Sequence, residues 1–276
     1  MIKPDTAAGY SAEKFELARS AALTLATFLG PVRDELVVVG GLVPSLIIDQ
    51  PMVAHVGTMD LDLGLDLAIL DESRYEQLVE LLKTSKFVPD ETGQGKLATY
   101  RWKHSTGITV DFLIAPGSDP KAKTRVISNE LSAFQAAALP LAHRDRLEVR
   151  LSGKTLEGET AERKLWVCGA AAFVVMKALA FGGPFGRGHP KDAYDLLFVL
   201  QNYGATFLTE VVQAFSRIRD DAEARRCIEI LRTDFSDIHR LGPVRAAAFV
   251  GTRDDIDLRQ RHVQTVQEFL AQLEQR

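Results

Sequence analysis

Phe15, Leu17, Ala18, Ala21, Ala22, Leu25 and Phe28 recur at helical spacing and predict a first helix, with Ser11 placed to cap it and Gly30-Pro31 to end it. Lys14 stands where a capping box would carry Glu. The period then changes. Leu36 to Val39 is a short β-branched run stopped by Gly40-Gly41, and the apolar stretch 42–48 reads as a helix entered through a tight turn. Thr58-Met59-Asp60-Leu61-Asp62-Leu63 alternates as a strand, and 71–83 is amphipathic as a helix. Strands follow over 86–89, 97–103 and 108–115, separated by Gly93, Gly95 and the Ser105-Thr106-Gly107 turn. Two more, 146–151 and 155–167, form a hairpin turning at Ser152-Gly153-Lys154. From Gly169 strand signals nearly vanish, and helices are expected over 170–181, 190–201, 207–215, 222–234 and 258–275. The fold class this order predicts is α+β: an α/β domain over 1–165 built on a mixed sheet with flanking helices, then a helical domain over 166–276. There is no internal repeat and no low-complexity tract.

Composition narrows the classes. With 276 residues, 46% of them apolar, the chain can bury a substantial core. A net charge of −4 argues against a protein that coats nucleic acid. A local basic group, Lys121, Lys123, Arg125, Arg144, Arg146, Arg150 and Lys154, suits either a polyanionic acceptor or a solvated surface interleaved with Asp145 and Glu148. Cys168 and Cys227 lie far apart without metal spacing and read as buried free thiols. The longest apolar stretch, 167–183, is interrupted by Lys177 and too short for a membrane span. No charged leader precedes an early apolar segment, so the expected location is the cytoplasm.

The chemistry is concentrated in carboxylates. Strand residues i and i+2 share a face, so Asp60 and Asp62 project together while Met59, Leu61 and Leu63 point the other way. Paired like charges cost stability unless a cation sits between them, and oxygen ligands suit Mg²⁺; the alternative is a solvated acidic edge. Asp111, alone in the apolar run Ile108-Thr109-Val110-Asp111-Phe112-Leu113-Ile114, needs a metal, a cation or donors, and is the natural third ligand. Gly40-Gly41 before a helix start is either a simple turn or a phosphate site. Thr58 and Ser45 are candidate hydroxyl donors, Thr58 being equally an ordinary strand residue, and His55 either orients substrate or is structural. Lys177 lies within an apolar helix, where its charge would have to snorkel or serve a ligand. Asp192, behind Pro190 and Lys191, complements a helix N-terminus, and Asp195 shares its face.

A strand ending in Gly-Gly, a Thr-x-Asp-x-Asp strand and an isolated Asp on a later strand together resemble the nucleotidyltransferase superfamily, the fold of polymerase-β-like enzymes. Lys177, followed by Lys191-Asp192-Ala193-Tyr194-Asp195-Leu196, is similar to the Lys and the Lys-Asp-x-Tyr-Asp-Leu segment of AbiEii-type toxins. The likeness spans residues 35–202, with a longer interval between Gly41 and Asp60 than the superfamily usually carries. It implies a nucleotidyltransferase-like sheet, with the helical domain completing a nucleotide cleft. Gly40, Gly41, Thr58, Lys191 and Asp192 would bind the nucleoside triphosphate; Asp60, Asp62 and Asp111 would hold two Mg²⁺; these three and Lys177 would be catalytic. The implied activity is Mg²⁺-dependent transfer of a nucleoside monophosphate to RNA, such as tRNA, or to a protein, by the toxin of a toxin–antitoxin or abortive-infection system with a cognate antitoxin. A small-molecule (antibiotic) nucleotidyltransferase and a catalytically silent nucleotide- or partner-binding module are the alternatives.

Overall fold

The computed structural model describes residues 3–66, 72–91, 95, 97–119, 122–183, 186–206, 208–251 and 254–276, the side chains of Pro31, Glu72 and Ser73 excepted. The expectations placed on Asp71, Gly93, Lys121, Pro184, Phe185 and Phe207 lie outside the described residues. The chain divides into two compact units. One comprises Ser11–Leu46 and Gly57–Cys168; the other holds residues 3–10, Ile47–Val56 and Gly169–Arg276.

In the first unit the strands are β1 (Leu36–Val39), β2 (Asp60–Leu65), β3 (Phe87–Glu91), β4 (Leu97–His104), β5 (Thr109–Ile114), β6 (Thr124–Val126), β7 (Ser132–Gln135), β8 (Arg146–Lys154) and β9 (Thr160–Cys168). Among the described residues they form one mixed sheet in the order β3-β4-β5-β2-β1-β9-β8, with β7 pairing to β5 and β6. β2 runs parallel to β5 and antiparallel to β1. Helices α1 (Ala12–Phe28), α2 (Val43–Ile47), α3 (Glu72–Thr84) and α4 (Leu139–Arg144) accompany the strands.

Local sequence explains most of these boundaries. Ser11 caps α1 as expected, its Oγ accepting from the Lys14 amide at 3.2 Å. Ala22 and Leu25 of α1 meet Leu61 and Leu63 of β2 in a small apolar cavity of about 30 Å³, so α1 covers the face of β2 away from its carboxylates. Leu61 pairs with Val110 and Leu63 with Phe112 in the register, which continues this apolar face across β5. α4, in a stretch with no predicted element, begins Leu139-Pro140, where a first-turn proline loses no helical hydrogen bond. It reaches the carboxylate face at Gly64, whose missing side chain leaves room for Leu139; a Cβ there would lie 2.4 Å from Leu139 Cδ1. The hairpin turn differs from the one expected. Gly153 pairs with Ala161 inside the ladder, and the chain reverses over 155–159, where Gly158 takes φ +83°.

The second unit is helical: α5 (Ala170–Phe181), α6 (Pro190–Asn202), α7 (Leu208–Ser216), α8 (Ala222–Asp234), α9 (Leu241–Phe249) and α10 (Ile256–Glu274). α5 and α6 are buried on nearly every face and pack on each other. α9 lies in a stretch with no predicted element; Gly242 and Pro243 are in its first turn, where proline is tolerated. Cys168 and Cys227 are free and buried, and burial pushes both thiols well above their usual pKa. Among the described residues no helix is long and apolar enough to cross a membrane.

Candidate functional site

The register of three neighbouring strands assembles the acidic site. Val39 lies opposite Asp62 across the β1–β2 pair, and Asp62 lies opposite Asp111 across β2–β5. Asp60, Asp62 and Asp111 therefore share one face, and one oxygen from each lies within 4.8 Å of the others. Asp60 and Asp111 are buried and Asp62 is half-buried. Three carboxylates and no nitrogen or sulfur donor form a set suited to a hard divalent cation such as Mg²⁺.

Residues around the triad hold it in place. Thr58, just ahead of β2, donates its hydroxyl to Asp60 Oδ1 at 3.0 Å, so its side chain orients a carboxylate. Gly40 has φ +71°, and a Cβ built on it would sit 1.8 Å from Asp62 Oδ2. The glycine that ends β1 thus allows the Asp62 carboxylate to lie against the backbone. Gly41 is buried in the same turn, a 3₁₀ turn over Gly40–Leu42 leading into α2. Ser45 donates to the Leu42 carbonyl at 2.8 Å within that short helix.

Arg101 is the member of this site that the sequence motifs do not contain. It lies on β4 directly opposite Asp111 and grips both carboxylate oxygens, Nε to Oδ1 at 2.6 Å and Nη2 to Oδ2 at 2.5 Å. This is the bidentate fork that guanidinium and carboxylate make best. The hydrogen bonds to Asp111 hold the guanidinium firmly protonated against the cost of burial, and the charges of Asp60 and Asp62 add to the effect. An arginine at an alternating position of an otherwise mixed strand was the available signal; its partner depended on register.

The other sequence-singled residues gather in the helical unit. Lys177 on α5 lies 3.2 Å from Asp192 Oδ1 and 2.7 Å from Asp195 Oδ2. Lys191 donates to Asp195 Oδ1 at 2.6 Å, and Arg187 grips Asp192 through Nε at 2.6 Å and Nη2 at 2.9 Å. His55, on the segment Ile47–Val56, meets Asp195 at 2.8 Å through Nε2 and stacks on Tyr194. Asp192 and Asp195 are at most 1% exposed, so this is a buried network in which each carboxylate answers at least two cationic or donor groups. Burial would raise the Asp192 pKa, yet Lys177 and Arg187 outweigh it and hold the carboxyl at about 2. Burial would raise Asp195 too, but Lys177 and Lys191 hold it well below the usual carboxylate range. Burial pulls Lys191 down to about 8 despite Asp195, and burial likewise keeps His55 below its ordinary pKa. Lys177, placed between two carboxylates, is instead raised.

Three basic residues of the β8–β9 hairpin have partners. Arg150 pairs with Glu162 at 2.9 Å, Lys164 with Glu148 at 2.6 Å, and Arg146 stacks over Trp166 at 4.4 Å.

No family model and no curated relative matches this chain. Among solved structures it is similar to an antigenic nucleotidyltransferase-like protein from Paracoccidioides brasiliensis, with 13% identity over 79% of this chain and 88% of that one and a TM-score of 0.40. A likeness this faint carries no weight for activity.

Proposed function

We propose that this protein is a Mg²⁺-dependent nucleotidyltransferase that moves a nucleoside monophosphate from a nucleoside triphosphate to a macromolecular acceptor. The observation that carries the reading is the convergence of Asp60, Asp62 and Asp111 on one face of β2 and β5, with Gly40 making room for Asp62. In this reading Asp60, Asp62 and Asp111 would together hold the divalent cations. Bound divalent cations would lower the pKa of the acceptor hydroxyl and neutralise the triphosphate. The acceptor hydroxyl gives up its proton to solvent as its oxygen forms a bond to the α-phosphorus, the bond to the bridging oxygen breaks, and pyrophosphate leaves with the electron pair. Thr58 keeps Asp60 oriented, and the Gly40-Gly41 turn lies beside the triphosphate.

The resemblance of Lys177 and the segment 191–196 to AbiEii-type toxins supports the narrower proposal: a cytoplasmic toxin acting on RNA, such as a tRNA end, or on a protein, and controlled by an antitoxin. In this reading Lys177, Lys191 and Asp192 would serve the nucleoside triphosphate. The test is incubation with each α-labelled nucleoside triphosphate, Mg²⁺ and either total RNA or lysate protein. Label is expected on one acceptor class and lost in Asp60→Ala and Asp111→Ala. Folded protein that transfers none of the four nucleotides to either class overturns the proposal.

A further inference from the structure

Arg101 occupies both oxygens of Asp111, the same oxygens that the proposed function assigns to a cation. The guanidinium has its own positive charge, only 14% of its side chain is exposed, and the negative charges of Asp60 and Asp62 also bear on it. Water therefore screens these interactions less than it would at an open surface. A bare divalent ion approaching Asp111 meets two oxygens that each already accept from the guanidinium, and a like charge beside them. It competes with a two-pronged, charge-assisted pair for the same carboxylate, and drawing that carboxylate away weakens the compensation of a poorly exposed guanidinium. A divalent ion carrying a triphosphate presents a different balance, because its anionic oxygens can accept from the displaced guanidinium.

We propose that Arg101 is the resident counter-cation of the triad and a positioning residue for substrate: it neutralises the carboxylates in the metal-free protein, competes with bare divalent cations for Asp111, and passes to the polyphosphate when cation and triphosphate arrive together. Cation and triphosphate then bind cooperatively, each raising the affinity of the other by the same factor. This rests on the reading of the triad as a cation–triphosphate site and adds the residue that couples the two ligands.

The full-length protein and its Arg101→Gln and Arg101→Lys variants are titrated calorimetrically with Mn²⁺ alone and with the preformed complex of Mn²⁺ and inorganic tripolyphosphate. Melting temperatures are recorded in EDTA and in Mn²⁺. Arg101→Gln should melt lower than wild type in EDTA, bind bare Mn²⁺ about tenfold or more tighter, and gain more melting temperature from Mn²⁺. Its preference for the complex over the bare ion should shrink by about tenfold or more. Arg101→Lys, which keeps a charge but not the fork, should fall between the two, and it carries the test if Arg101→Gln does not fold. A folded Arg101→Gln, or failing that Arg101→Lys, with wild-type or weaker affinity for bare Mn²⁺ overturns the inference. If wild type binds the complex and the variants bind both ligands as it does, this inference alone fails. If wild type binds neither ligand, the cation–triphosphate reading fails and takes this inference with it.

Discussion

Replacing Gly40 by alanine tests whether the end of β1 is shaped for the Asp62 carboxylate. The added Cβ would lie 1.8 Å from Asp62 Oδ2, 2.6 Å from Cγ and 2.8 Å from Cβ, on a residue with φ +71°. Rotating the Asp62 side chain about its Cα–Cβ bond relieves the first two overlaps. The third is one bond from the backbone of β2, so the turn or the strand has to move. Holding alanine in the left-handed region costs about 1–2 kcal/mol, and an overlap of this kind adds about 1–3 kcal/mol. The expected loss is therefore about 2–5 kcal/mol, a large part of the roughly 5–15 kcal/mol that holds a domain folded. Gly107 supplies the control: it has φ +89° with nothing within 4 Å of its would-be Cβ, so Gly107→Ala should incur the conformational cost alone. Both tryptophans, Trp102 and Trp166, belong to the sheet unit, so urea unfolding followed by fluorescence reads that unit without contribution from the other. Adding Asp62→Ala to Gly40→Ala removes the two closest contacts and should recover about 1 kcal/mol or more in a double-mutant cycle. If Gly40→Ala costs no more than Gly107→Ala, or Asp62→Ala recovers nothing, Gly40 is not shaped for the carboxylate.

Three further outcomes follow from the same geometry. Asp60→Ala with Asp62→Ala should abolish calorimetric binding of the Mg²⁺–triphosphate complex while leaving the metal-free melting temperature unchanged or higher, because repulsion is relieved and Arg101 keeps Asp111; undiminished affinity would exclude the metal role. Asp192 has its pKa lowered from 3.8 to about 2, so its contribution, about 2 kcal/mol, is fully present above pH 4 and lost as pH falls through 2. Melting temperature against pH should fall over that interval and fall less steeply in Asp192→Asn; parallel curves would contradict the assignment. Lys177→Ala leaves Asp192 and Asp195 buried with one cation fewer, and should cost about 3–5 kcal/mol in urea unfolding, whereas a surface-like loss below about 1 kcal/mol would show that the network tolerates its absence.

How much of this was legible beforehand varies with the range of the interaction. Asp60 and Asp62 could be paired from alternation alone, because side-chain direction on a strand has a period of two whatever the strand packs against. The lone Asp111 in an apolar run signalled that it needed a partner, and Ser11 as a cap needed only its neighbours in sequence. The mixed sheet with flanking helices followed by helices was readable from the change of period near Gly169. Local rules misplaced the turn between β8 and β9, where Gly153 pairs in the ladder and Gly158 bends the chain, and they overlooked α9 behind Gly242-Pro243. Long-range contacts alone decided that Asp111 is held by Arg101, that Gly40 gives way to Asp62, and that Lys177, Lys191 and His55 converge on Asp195. Residue type fixes what a side chain can do, and local period fixes which way it points. Which charge it meets depends on strand register and helix packing, and those are set by the burial of apolar faces contributed by the whole chain.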